Sequence, residues 1–185
     1  MLAGGAARRL GRPKATAELA GRSMIAHPLA ALAAAGLEAI VVAKADTQLP
    51  PLEAAVVEEA DEPRHPLAGV LAALAAAQGR PIVVVPCDTP FVPAALLAHF
   101  ATMRARAAVV ESDRIHPLLG RYEPSCAPAL QEALAAGRSA TAAALALDPL
   151  VVGPNELARY GDPARITFNV NTPADLERAA AMALP

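Results

Sequence analysis

Tryptophan is absent from this 185-residue chain, which carries only two tyrosines and three phenylalanines. So few aromatic faces exclude a stacking platform for nucleic-acid bases. Charge of one sign is not in excess either. The formal net charge of −2 is too small to draw the chain onto nucleic acid or an anionic membrane surface. No stretch is apolar over the ~18 residues that a membrane span requires, and no signal peptide is visible. The two cysteines, Cys87 and Cys126, lie far apart and lack metal-ligand spacing. A soluble protein of the reducing cytoplasm is expected, with no nucleic-acid or membrane partner. Also missing are a P-loop Gly-Lys-Ser/Thr, a G-x-G-x-x-G and any internal repeat. No Ser-His-Asp or Cys-His set can be assembled, and packing is the default role for each of the four histidines.

What the chain has in quantity is small apolar residues. Hydrophobic types make up 55% of it, largely alanine, which suits helices packed closely on a sheet. The length fits one domain with a full core, residues 1–185. Its most distinctive stretch is Leu2 to Lys14, LAGGAARRLGRPK, with adjacent glycines, three arginines and a lysine. Gly4 and Gly5 let a backbone approach a ligand closely, and successive N–H groups in such a loop form an anion-binding concavity. Arg8, Arg9, Arg12 and Lys14 add charge to it, so the stretch reads as a triphosphate grip. Only Met1, Leu2 and Ala3 precede Gly4, a stub where a central strand is needed. Further apolar residues ahead of Leu2 are therefore expected in the natural protein; with Met1 as its start, fraying of the sheet beside the loop is expected instead.

Downstream, apolar runs alternate with helical ones. Residues 15–22 read as a link, and a helix opens at Ser23 or His27 and runs to Ala35. Strands are expected over 39–43, 54–57, 81–86, 107–110, 115–122 and 165–170, with an edge strand at 150–152. Helices are expected over 65–78, from Pro93 to about Met103, over 128–136 and 140–147, and from Thr172 onward; residues 153–163 read as irregular or weakly helical. This alternation predicts an α/β fold in three layers, a mostly parallel sheet with helices on both faces. Ligands in that architecture bind beyond the carboxyl ends of the strands.

Asp88 stands where the strongest strand ends, in Cys87-Asp88-Thr89-Pro90. A carboxylate there, facing a triphosphate grip, suits Mg²⁺, which takes one or two carboxylates plus substrate phosphate oxygens. Cys87 reads as a small buried neighbour rather than a nucleophile. Asn169 and Asn171 alternate onto one side of their segment, so both amides face the same way. The start of the helix at His65 to Gly69 offers N–H groups to an anion or a base edge. His116-Pro117 reads as a lining of the cleft.

With these residues in view, the chain resembles the molybdenum cofactor guanylyltransferases, a MobA-like NTP transferase family among the GT-A-like, Rossmann-like nucleotidyltransferases. The matching pieces are LAGGAARRLGRPK (2–14), HPLAG (65–69), PCDTPFVP (86–93), HPLLGRY (116–122) and FNVNTPADL (168–176). The resemblance implies transfer of GMP from GTP to the terminal phosphate of molybdopterin, with Mg²⁺ and release of pyrophosphate. A downstream molybdoenzyme or its chaperone would be a further partner. It implies nucleotide contacts from Leu2, Ala3, Gly4, Gly5, Leu67 and Gly69, triphosphate binding by Lys14 and Arg9, and metal binding by Asp88. Asn169, Asn171 and His116 would face the pterin. Three departures bear on the base. The signature ends in Gly-Arg-Pro-Lys, one residue shorter than the family's Gly-Gly-x-Asp-Lys and closer to the related molybdopterin cytidylyltransferases. Ala43-Lys44-Ala45 stands where the family has Asn, and Glu59 is the positional match to its base-reading Asp. These leave open a CTP-dependent or sugar-phosphate nucleotidyltransferase, and beyond them a nucleotide-binding chaperone without turnover.

Overall fold

Apolar runs of three to five residues that end in polar turns form most of the strands, and alanine–leucine runs form most of the helices. The computed structural model describes residues 1–4, 10–11 and 13–183. A small antiparallel hairpin, β1 (Glu18–Leu19) and β2 (Arg22–Ser23), occupies the segment expected to be a plain link. Then come α1 (Ala26–Ala34), β3 (Ile40–Ala43), β4 (Ala55–Glu58), α2 (Pro66–Ala76), β5 (Ile82–Val84) and α3 (Ala94–Thr102). They are followed by β6 (Ala107–Glu111), β7 (Ile115–Tyr122), α4 (Ala127–Ala135), α5 (Ala140–Leu145) and β8 (Leu150–Val152). Short helices α6 (Pro154–Leu157) and α7 (Pro163–Ile166) precede α8 (Pro173–Ala183).

β3 pairs in parallel with β4, and β5, β7, β6 and β8 form a second ladder in that order. Residues 1–3 join the two. Leu2 N–H donates to Val85 (3.0 Å) and Ala3 N–H to Val42 (2.8 Å), while Val42 donates to Met1 (2.8 Å) and Cys87 to Leu2 (2.9 Å). The fraying expected here is not observed, because both edges of the three-residue stub find ladder partners. β7 runs antiparallel to β5 and β6, while every other pairing in this sheet is parallel. The sheet is thus mixed, a refinement of the mostly parallel expectation.

Alternation along β6 shows the layers. Ala108 and Val110 point to a core shared with α1 and α3, through Leu32, Leu96, Leu97 and Phe100. Ala107 and Val109 point the other way, to Val70 and Leu74 of α2 and Leu130 of α4. A third cluster, with Leu19, Met24, Val170 and Ala179, ties the β1–β2 hairpin to α8.

Two irregularities shape the cleft. The first lies between β6 and β7: Val109 pairs with Gly120, yet the next residue, Val110, pairs with His116. Pro117, Leu118 and Leu119 therefore leave the register. Pro117 has no N–H to give a ladder, and the Tyr122 hydroxyl donates to its carbonyl at 2.6 Å. The second is a correction. Residues 165–170 do not form a strand; Pro163–Ile166 is a helical turn, and Phe168 to Asn171 has no strand partner. Asp162 caps that turn by accepting from Ala164 N–H at 3.0 Å, with Pro163 in the first position. That cap-and-proline signature overrides the apolar run behind it.

Candidate active site

A cleft of about 600 Å³ opens beyond the carboxyl ends of the stub, β3 and β5, with the bulged part of β7 as one wall. Leu2 and Gly4 enter it from the stub, Lys44 and Glu59 from the ends of β3 and β4, and Asp88 and Asn169 from the far side. This is where an open α/β sheet places its ligand.

Lys14 and Asp88 meet here across 74 positions of sequence, Nζ to Oδ2 at 2.8 Å. The same ammonium donates to Asn171 Oδ1 at 2.5 Å, and Asn169 Nδ2 lies 3.4 Å from Asp88 Oδ1. The segment bearing the two asparagines is fixed at both ends. Val170 N–H donates to the Asp88 carbonyl (2.9 Å). Asp175 Oδ2 accepts from Asn171 N–H (3.1 Å) and Thr172 N–H (3.0 Å), and Thr172 Oγ1 accepts from Asp175 N–H (3.1 Å). That reciprocal arrangement is a capping box with Asp in the usual Glu place. The cap of α8 thus aims Asn171 at Lys14.

Glu59 enters from the end of β4, with its N–H on the Ala43 carbonyl at 2.9 Å. Its Oε1 lies 3.4 Å from Lys44 Nζ, and both side chains are buried. The carboxylate fits between two glycines. A Cβ on Gly4 would lie 2.2 Å from Oε1, and one on Gly69 would lie 2.7 Å from Oε2. Any larger residue at either position would displace it. Leu67, expected at the nucleotide, faces the core instead, and its N–H is taken by His65 Nδ1 (3.2 Å) as the cap of α2. Ala3 is likewise buried, so its contact with a ligand is restricted to backbone.

His116 lines the cleft on β7. Its Nε2 lies 3.0 Å from Ser112 Oγ and 3.2 Å from Asp113 Oδ1, and Ser112 also meets Thr167 Oγ1 at 2.9 Å. Serine and carboxylate share one ring nitrogen, so this is no proton relay of the Ser-His-Asp kind, which needs them on opposite nitrogens. Burial holds the His116 pKa below its usual value, the Asp113 hydrogen bond opposing this. Cys87 is buried, and burial, with Asp88 alongside, pushes its thiol up to about 12. It is a packing residue, as expected. Gly5, Arg8, Arg9 and Arg12 of the expected phosphate grip lie outside the described residues.

Among the described residues no group of three or more His, Cys, Asp or Glu side chains is placed to hold a metal. The donors that are present suit a hard cation shared with phosphate. They are the Asp88 carboxylate and the buried Asn169 Oδ1, which has no hydrogen-bond partner among the described residues. Lys44, which the sequence marked only as a departure from the family's Asn, is brought beside Glu59 by the pairing of β3 with β4.

With Gly4 at the end of the stub and Lys14 and Asp88 converging beside it, the cleft is equipped to take a nucleoside triphosphate and pass on its nucleotidyl group. The protein is a nucleotidyltransferase by fold and site. The family model for the MobA-like NTP transferase domain matches residues 1–150. A molybdenum cofactor guanylyltransferase of Cereibacter sphaeroides is 34% identical over 189 residues, covering 98% of this chain and 94% of its own. Among solved structures, molybdopterin-guanine dinucleotide biosynthesis protein A of Archaeoglobus fulgidus aligns with a TM-score of 0.83 at 27% identity, covering 98% of this chain and 95% of its own. A 2-C-methyl-D-erythritol 4-phosphate cytidylyltransferase of Thermus thermophilus shares the fold, with a TM-score of 0.71 at 23% identity over 98% and 97% of the two chains. The chain belongs to the molybdenum cofactor guanylyltransferase family. None of its described helices is long and apolar enough to cross a membrane.

Proposed function

We propose that the protein transfers GMP from GTP to the terminal phosphate of molybdopterin and releases pyrophosphate. The observation that carries this reading is the convergence of Lys14, Asp88 and Asn169 in one cleft that the buried Glu59 also lines, with Asn171 accepting from Lys14. In the reaction an oxygen of the acceptor phosphate bonds to the α-phosphorus, and the bond from that phosphorus to the β-phosphate bridging oxygen breaks. The electron pair leaves on pyrophosphate. The attacking oxygen is already anionic, so no general base is required. Rate then comes from in-line alignment and from cations that meet the departing charge.

Lys14 supplies such a cation by exchanging its carboxylate partner for the β- and γ-phosphates. Leu2, Gly4 and Gly5 line the nucleotide, with Arg9 as a second phosphate ligand. Glu59, flanked by Gly69, faces the base. Asn169, Asn171 and His116 hold the acceptor. Asp88, with Asn169 Oδ1, would hold Mg²⁺, which neutralises phosphate charge when bound. Two free cysteines fit a reducing cytoplasm. Delivery to a downstream molybdoenzyme or its chaperone completes the reading.

Pyrophosphate release with molybdopterin and each of GTP, CTP, UTP and ATP tests it. GTP should be the favoured donor, and Asp88→Asn should reduce turnover ~10²–10³-fold, as expected for one lost electrostatic contact in the transition state. Preference for CTP, or near-wild-type turnover in the folded variant, would contradict the reading.

A further inference from the structure

Lys44 looks at first like another phosphate-binding cation of the cleft, but its charge is already committed inside the protein. Its ammonium donates to the carbonyls of Ala60 (2.6 Å) and Asp61 (3.1 Å) and lies 3.4 Å from Glu59 Oε1. Two of its three N–H groups are on carbonyls and its charge is paired with the Glu59 carboxylate, so it is held away from a ligand. The backbone bearing it is closed as well: Lys44 N–H donates to Thr47 Oγ1 (3.1 Å), and Thr47 N–H to the Lys44 carbonyl (3.0 Å). What the lysine does is hold one oxygen of Glu59 from behind. Gly4 and Gly69 confine the carboxylate on its two flanks. Oε2 is then left facing the Gly69 side of the cleft, where among the described residues it receives no hydrogen bond.

We infer that Lys44 is a positioning residue for base selection, fixing the Glu59 carboxylate as an acceptor for the guanine N1–H and 2-amino group. This rests on the guanylyl reading above and adds to it the device by which the base is chosen. Guanine offers two adjacent donors on that edge, hypoxanthine only N1–H. Cytosine sets one amino donor beside the N3 and O2 acceptors, so it offers the fixed carboxylate one donor where guanine offers two. Removing the cation from a buried pair leaves an uncompensated charge free to turn toward other donors or water. Discrimination should then fall while the phosphate chemistry, set by Lys14 and Asp88, continues.

The test is the ratio of kcat/KM for GTP over ITP, with CTP as a third substrate, in the full chain. The wild type should favour GTP over ITP about 10–100-fold, the worth of a hydrogen bond to a charged acceptor. Lys44→Gln keeps an amide donor for the Ala60 and Asp61 carbonyls but removes the charge. Its GTP/ITP ratio should fall toward one through KM, with kcat at saturating GTP close to wild type, and Lys44→Arg should restore the ratio. A folded Lys44→Gln with the wild-type ratio overturns the inference alone. Failure of both Lys44→Gln and Lys44→Met to fold also overturns it, making Lys44 a brace for residues 59–61 only. A wild-type preference for CTP would instead defeat the guanylyl reading, and an unchanged ratio in Glu59→Gln would remove Glu59 as the base reader.

Discussion

At the scale of single residues, the ion pair of Lys14 and Asp88 defines what each contributes. Lys14→Ala should weaken GTP binding by about 1.5–3 kcal/mol, the worth of a hydrogen bond to a charged group, and should leave GMP binding nearly unchanged. Calorimetric titration with both nucleotides decides this; equal losses would move Lys14 away from the β- and γ-phosphates. These two residues were legible in sequence because each stands in a short motif whose chemistry is local. Lys44 was not, since its role exists only once β3 and β4 pair and bring Ala43 beside Glu59. His116 offers a pH test. Burial lowers its pKa in the folded state, so between that value and the unfolded one, ~6.5, the unfolded chain binds more protons. Its contribution to stability is complete above ~6.5 and is lost as pH falls through the folded value. The melting temperature of wild type should therefore drop more steeply than that of His116→Gln between neutral and mildly acidic pH. Parallel profiles would show that the histidine titrates alike in both states.

At the scale of elements, the bulge in β7 is the feature that builds the cleft wall. Proline in the middle of a predicted strand was its only trace in sequence, and the register shift depends on pairing that no local pattern records. The β1–β2 hairpin likewise depends on pairing, whereas α7 had a local start, Asp162-Pro163, which a reading by the apolar run after it gave too little weight. By contrast the α8 start at Thr172-Pro173-Ala174-Asp175 was legible, because cap, proline and carboxylate all lie within four residues. Gly120 keeps the β6–β7 ladder closed beyond the bulge: an added Cβ would lie 2.1 Å from the Ala108 carbonyl oxygen. Backbone cannot yield as a flexible side chain can. Gly120→Ala should cost ~1–3 kcal/mol, as overpacking does, and lower the melting temperature by ~2–4 °C for each kcal/mol in a chain of this size. Gly153→Ala, with open space around the Cβ and φ of −81°, is the control and should lose only the smaller preference for Gly over Ala at the N-cap of α6, melting well above Gly120→Ala. Equal melting temperatures for both variants would mean that β6 moves aside freely.

At the scale of the whole molecule, α/β class and helices on both faces were readable from alternating apolar runs, since a buried strand needs cover on each side. The antiparallel course of β7 against β6 follows from the three-residue turn between them, too short for a crossover, whereas its pairing with β5 was not readable, because no local pattern records it. Thermal shifts with a nucleotide panel probe the assembled cleft: GTP at ~100 times its dissociation constant should add about 2.7 kcal/mol of stability, and CTP at the same concentration less. An equal shift for both would place the base outside the protein's reach. The three residues that join β3 to β5 carry a further consequence. Since Leu2, Ala3, Val42 and Cys87 amides bridge the two halves of the sheet, deuterium uptake at these four sites reports the separation of the halves directly. If they exchange only as slowly as the most protected amides of β6, the molecule opens as one cooperative unit. Faster exchange at these four would divide it into two foldons that part along the floor of the nucleotide cleft.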